Sequence, residues 1–340
     1  MSENLMTTTS PEGPPSGDVF IGLDGARGGW AGVVLDREGR WQVGLWPDLA
    51  SLWAAHQNAA RILVDMPMGL PGPGSQGEGL AVRECDRLAR KLLGPRRGSV
   101  FSPPCRAALE TDDYQEALRL NREHTGRGIS IQAFHIRGKI LEADRLLLRD
   151  EAAREGLLEA HPELSFAALN GGPVMAHAKR TKEGRSERLE ALGLQEGRAD
   201  REQAVFESAG PRQVMHEGAV GAERCAERAV VDQLTAHGSG RRPAAPVLSH
   251  GHGAATPTGT NPGQRGSVLY PPLDPAMLQP MSTIPRRLAA PDDWLDALAL
   301  AVCAMNFHLT PVPDPPEIDG NGLAMAIWVP EMILGGGHGG

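Results

Sequence analysis

Two short apolar runs, each ending in an aspartate, constrain this chain more than any other feature. VFIGL leads into Asp24, and RILV leads into Asp65. Runs of this length, stopped by Gly or Pro, read as strands buried within a sheet. Between them lie GWAGVVLD, the turn Arg37-Glu38-Gly39-Arg40 and WQVGLWPD. These segments predict a hairpin that joins the first run in an antiparallel meander. LASLWAAHQNA then has helical spacing, with Asp48 at its N-cap. The order β-β-β-α-β predicts an α/β fold, a mixed sheet flanked by helices.

Residues from about 79 to 155 read as a helical insertion in a core spanning 18–190. Its helices are expected at Arg83–Leu93, Tyr114–Glu123 and Ile129–Leu148. GLLEAHPELSF reads as a strand running into a turn, and Arg185–Leu192 as a further helix. Apolar periodicity weakens over 191–287, although Arg201–His237 keeps some helical character. After Ala236 the segment is rich in Gly, Pro, Ser and His, which predicts a low-complexity, linker-like insertion, partly disordered. His250, His252 and His338 lie among glycines and are weak candidates for metal ligands. Order resumes over 288–332. There PDDWLDALALAVCAMNF predicts a helix with Pro291 in its first turn, and GLAMAIWVP a strand that completes the core. Residues 1–17 and 333–340 read as disordered tails.

The chain has 340 residues, 41% of them hydrophobic, enough for one large core. No apolar run approaches the ~20 residues that span a bilayer. The first residues lack the charged start and apolar core of a signal peptide. A cytoplasmic protein without a membrane partner is the expectation. Cys85, Cys105, Cys225 and Cys303 include no Cys-x-x-Cys pair, so packed thiols are expected rather than a zinc or disulfide framework. A net charge of −8 argues against non-specific coating of nucleic acid. Two basic stretches run against that average. Arg83 to Arg97 holds six basic residues and two acids, and Lys179 to Arg188 holds five and two. Arg83, Arg87, Arg90, Lys179 and Lys182 are the candidate phosphate contacts; solvated helix faces explain the same residues.

The acids suggest a site. Asp24 and Asp65 sit at the carboxyl ends of strands, where sites form in open sheets. Asp293 and Asp296 are three apart on the late helix and share a face. Asp296 stands inside the apolar run LDALALAVCA, where a carboxylate is unfavourable unless paired or bound to a metal. Each acid also has a simpler explanation. Asp24 can cap a glycine turn, Asp65 can accept backbone donors before Pro67, and Asp293 can complement a helix dipole. Together, the four carboxylates, with no cysteine among them, suit Mg2+ or Mn2+. A second group is Glu159, His161 and Glu163. On a strand these alternate positions face one side and could bind a metal or supply a general base. Pro162 puts them at a strand end.

The motifs GLDGARGGW, VDMPMGLP, RECDRLARKLLG, SVFSPP, GISIQAF, EAHPELSF, KRTKEGRSER and DDWLDALALA together resemble the DUF429 family. That family is described as predicted nucleases with a ribonuclease-H-like fold. The resemblance covers roughly residues 18–190 and 288–330. The chain is also similar, more distantly, to Holliday-junction resolvases. These carry an acid after the first strand, an acid ending the fourth, and an Asp-x-x-Asp-Ala-Leu helix near the C-terminus. The similarity implies metal binding at Asp24, Asp65, Asp293 and Asp296.

The first expectation is therefore a metal-dependent nuclease acting on DNA or RNA, with His161 or Glu163 orienting water. A second is a nucleotide-binding phosphotransferase or ATPase of the actin-like type, which also begins with a Gly-x-Asp-Gly turn such as Gly22 to Gly25. That type needs a second copy of the fold, and the sequence shows neither an internal repeat nor a Walker lysine motif. A third is a non-catalytic binding protein whose acids serve folding. Its 4% of aromatic residues leave little for stacking on bases.

Overall fold

Six strands form one mixed sheet. In chain order they are β1 (Met6–Thr9), β2 (Val19–Ala26), β3 (Gly29–Asp36), β4 (Trp41–Trp46), β5 (Arg61–Asp65) and β6 (Leu157–Glu159). They lie side by side as β1-β4-β3-β2-β5-β6. The first four pair antiparallel, and β5 and β6 add in parallel. The computed structural model describes residues 6–75, 82–195 and 271–335. The helices of these residues are α1 (Leu49–His56), α2 (Glu84–Leu93), α3 (Arg106–Leu109), α4 (Tyr114–Thr125), α5 (Ile131–His135), α6 (Arg137–Arg149), α7 (Glu151–Gly156), α8 (Pro162–Leu169), α9 (Lys182–Ala191), α10 (Leu278–Thr283) and α11 (Pro291–Asn306). Strands β7 (Leu309–Ile318) and β8 (Ala324–Pro330) pair with each other in a separate two-stranded sheet.

Alternation along the strands divides the core into two layers. Ile21, Leu23, Ile62 and Val64 pack against Leu49 and Leu52 of α1 and against Ile140, Leu146 and Leu147 of α6. Phe20 and Leu63 face the other way, toward α11, Phe166 of α8 and Leu189 of α9. Helix α11 lies almost in backbone contact with β2, and Gly22 makes that approach possible. A Cβ at Gly22 would collide with the Ala297 carbonyl oxygen and the Ala301 amide nitrogen. Asp24 is two residues further along the same face, so the helix that rests on Gly22 also reaches Asp24.

The expected β-β-β-α-β order is present. Asp48 caps α1 as anticipated, accepting from the Ser51 N–H at 2.6 Å. Other expectations need correction. Residues 6–17 are ordered, because Met6–Thr9 pairs with the edge of β4. Buried Asp36 also anchors the segment, accepting the Ser16 N–H as well as the Arg40 side chain. The single helix expected over 129–148 is two helices divided at Ile136 (φ −94°, ψ 5°), with Ser130 capping the first. Residues 271–287 are no linker: Met277, Met281 and Ile284 are buried in the main core. Strand β8 exists as expected but pairs with proline-rich β7 rather than with the main sheet. The possible helix at Arg201–His237, the candidates His250, His252 and His338, and Cys225 lie outside the described residues. Among the described residues no helix is long and apolar enough to cross a membrane.

Candidate metal centre

The parallel register of β2 and β5 places Asp24 directly beside Asp65. Helix α11 brings Asp296 to the same point. One carboxylate oxygen from each of Asp24, Asp65 and Asp296 lies within 4.8 Å of the others. Asp24 and Asp296 are buried, and Asp65 is half-buried. Lys179, from the loop between α8 and α9, sits against this group. Its Nζ is 2.6 Å from Asp296 Oδ2 and 3.5 Å from Asp292 Oδ2. The loop is held in place from α9: Glu187 accepts the N–H groups of Ala176 and His177, and Thr181 caps the helix through Gly184.

Three carboxylates share one ammonium, and their protonation reflects it. Burial, then repulsion from Asp65, Asp296 and Asp293, holds the Asp24 carboxyl well above its ordinary range. Burial and Asp296 push Asp65 up to about 8. Burial raises Asp296 too, although Lys179 opposes it. Burial would lower Lys179, but Asp296 and Asp24 outweigh it, and the ammonium stays charged. The donor set consists of oxygen alone, the kind that hard divalent cations take. Concentrated negative charge of this sort is what a dication relieves.

Asp293 does not join the group within 4.8 Å. Its Oδ2 accepts the Ala290 N–H at 2.7 Å, at the start of α11. Burial still raises it to about 6. The helix acid that faces Lys179 together with Asp296 is Asp292. It is four residues from Asp296 and so on the same face, a spacing that was readable in PDDWLD.

Glu159, His161 and Glu163 are not three ligands on a strand. Strand β6 ends at Glu159, and Pro162 occupies the first turn of α8 instead of ending a strand. Glu159 stands opposite Val64 in the register, so alternation aims it away from the face that carries Asp65. His161 is the N-cap of α8, with its Nδ1 accepting the Glu163 N–H at 3.2 Å. Burial holds its imidazole below the ordinary range. Glu163 is buried between Arg96 and Arg188. Burial pushes its carboxyl up, but the two guanidinium groups win and hold it low.

The expected phosphate contacts also separate. Arg83 is no surface cation but is buried, its guanidinium divided between Asp86 and Glu159 with the Met68 and Gly69 carbonyls also accepting. Its partner Glu159 is pushed up to about 7, chiefly by burial, against the pull of Arg83. Arg90 is turned inward to the Val100 carbonyl and Ser102. Arg87 is exposed and paired with Glu84. Lys179 belongs to the acid group, and Lys182 stands exposed at the start of α9.

Neither a curated protein nor a solved structure matches the chain. A family described as "Protein of unknown function (DUF429)" matches residues 22–258. The matched stretch contains Asp24, Asp65 and Lys179 and ends before Asp296. Since it covers more than half of the chain, the protein belongs to the DUF429 family.

Proposed function

We propose that this protein is a metal-dependent nuclease of ribonuclease-H-like fold, hydrolysing phosphodiester bonds of DNA or RNA at Asp24, Asp65 and Asp296. The observation that carries the reading is the convergence of these three carboxylates, from two adjacent strand ends and a distant helix, around one ammonium. The sheet supports it as well: an antiparallel meander followed by parallel strands, with acids ending β2 and β5. Asp24, Asp65 and Asp296 would hold Mg2+ or Mn2+. Bound there, the ion supplies positive charge to the phosphate and makes water more acidic.

The chain's own groups set the rest of the reaction. The oxygen of water bonds to phosphorus, one P–O ester bond breaks, and the departing oxygen takes a proton. The products are an alcohol and a phosphate monoester. Lys179 remains protonated beside the acids, so it contributes charge and fixes Asp296 without accepting a proton. His161 has Nδ1 occupied by the cap of α8 and Nε2 3.4 Å from the Ser99 carbonyl oxygen, an arrangement that orients α8 rather than water.

The test pairs binding with cleavage. Mn2+ binding is followed by calorimetry, and labelled DNA and RNA are incubated with Mg2+ or Mn2+. The wild-type protein should bind Mn2+ and cut, while Asp24→Asn and Asp65→Asn should lose both. Cleavage that persists in chelator, or in the double variant, would overturn the reading.

A further inference from the structure

A cavity of about 470 Å3 opens beside the acid group, and Lys179 belongs to both. Among the described residues five cations line it: Lys179, Arg180, Lys182, Arg185 and Arg286. Among the described residues Asp292 is the one acid in that lining, and Lys179 and Arg180 already reach it, at 3.5 and 3.9 Å. Lys182 and Arg286 are exposed and have no ion-pair partner among the described residues. Leu278, Met281, Ile284 and Trp294 form an apolar side, with Thr181 and Ser282 also in the lining. Trp294 is 2% exposed, yet its indole N–H has no hydrogen-bond acceptor among the described residues. Buried donors are rarely left so, and the residue that carries this one lines the cavity wall.

We infer that this cavity binds one unpaired nucleotide of the strand whose neighbouring phosphate lies at the acid group. This rests on the nuclease reading and narrows it to single-stranded or locally opened nucleic acid. Two observations together point to that ligand rather than to a simple anion. The cations suit a phosphate. The apolar wall suits a flat base, which phosphate alone would leave uncovered. The volume falls within the range of small-molecule pockets. A base enclosed in this way cannot stay paired, as with other proteins that take a base out of its stack.

The test uses the full chain in chelator, so that no metal takes part. Binding of AMP, adenosine and inorganic phosphate is measured by calorimetry, with the 15N-labelled indole resonances followed by NMR. AMP should bind about tenfold or more tighter than either fragment. It should shift one indole resonance, the one missing from Trp294→Phe. The surface double variant Lys182→Ala/Arg286→Ala should weaken AMP by about tenfold. AMP binding no tighter than phosphate, or an unmoved Trp294 resonance, would overturn the inference. Metal-dependent cleavage of duplex and single strands at equal rates, unchanged in the double variant, would overturn it and leave the nuclease reading standing. AMP binding as expected without cleavage under any metal would uphold the cavity and remove the nuclease reading.

Discussion

Two clusters of buried carboxylates lie near the ends of β5 and β6, and each surrounds a single cation. In one, Asp86 and Glu159 close on Arg83, whose planar fork is shared among two carboxylates and two carbonyls. In the other, Asp24, Asp65 and Asp296 share Lys179, a point charge that directly pairs with Asp296 and Asp292. The first cluster is filled by its own guanidinium and fastens α2 to the loop after β5. The second gathers more carboxyl groups than its one ammonium can pair, next to a cavity. Acid clusters thus serve as scaffold or site according to whether the protein supplies enough positive charge and enough donors to satisfy them.

The difference can be broken first at Arg83. Arg83→Met leaves Asp86 and Glu159 buried without their cation, and unfolding stability measured in urea should fall by ~3–5 kcal/mol. An unmoved midpoint would remove the scaffold assignment.

At the other cluster the sign reverses. Asp24→Asn or Asp65→Asn relieves repulsion, so the melting temperature in chelator should rise by a few degrees while cleavage falls by ~100–1000-fold. The same repulsion makes wild-type stability depend on pH. The folded pKa of Asp65, about 8, lies above that of an unfolded aspartate. Folding therefore favours the protonated form. That contribution is fully present below the unfolded value near 4 and is lost as pH rises through about 8. Melting in chelator should show this decline, and Mg2+ should reduce it. A flat profile in wild type would place the excess charge elsewhere.

A smaller effect is expected at Gly22. Gly22→Ala forces α11 away from β2 at a close contact, and overpacking of this kind destabilises by ~1–3 kcal/mol. Because Asp296 rides on α11, Mn2+ affinity should fall with stability, whereas the environment of Arg83 should not change. The smallest effect belongs to Arg87, which is 63% exposed in its pair with Glu84. Arg87→Ala should alter stability by no more than ~0.5 kcal/mol. A larger loss would mean that the α2 surface is itself part of the scaffold.

Much of this arrangement was legible in the sequence. Asp24 and Asp65 could be read because a buried strand ending in an acid delivers that acid to a sheet edge. Asp296 could be read because charge inside an apolar helix needs a partner. The choice between Asp292 and Asp293 could not be made, since both lie within a turn of Asp296 and only packing against Lys179 separates them. Arg83 read as a surface cation because its partner Glu159 is 76 positions away. Pro162 read as a strand breaker, although the same residue suits the first turn of a helix once His161 caps it. Strand β7 was hidden by Pro311, Pro313, Pro315 and Pro316, which a two-stranded sheet tolerates because one edge needs no partner. Met277, Met281, Ile284 and Leu288 carry helical spacing, but the Gly- and Pro-rich residues before them masked the signal.

The seat of α11 on Gly22 also sets when the site comes into being. Synthesis at ~5–20 residues per second separates Asp24 from Asp296 by on the order of 15–50 s. For most of that interval the emerging chain carries two of the three acids, and Lys179, once made, waits for its partner. A chain that has not yet reached α11 is thereby denied the third acid.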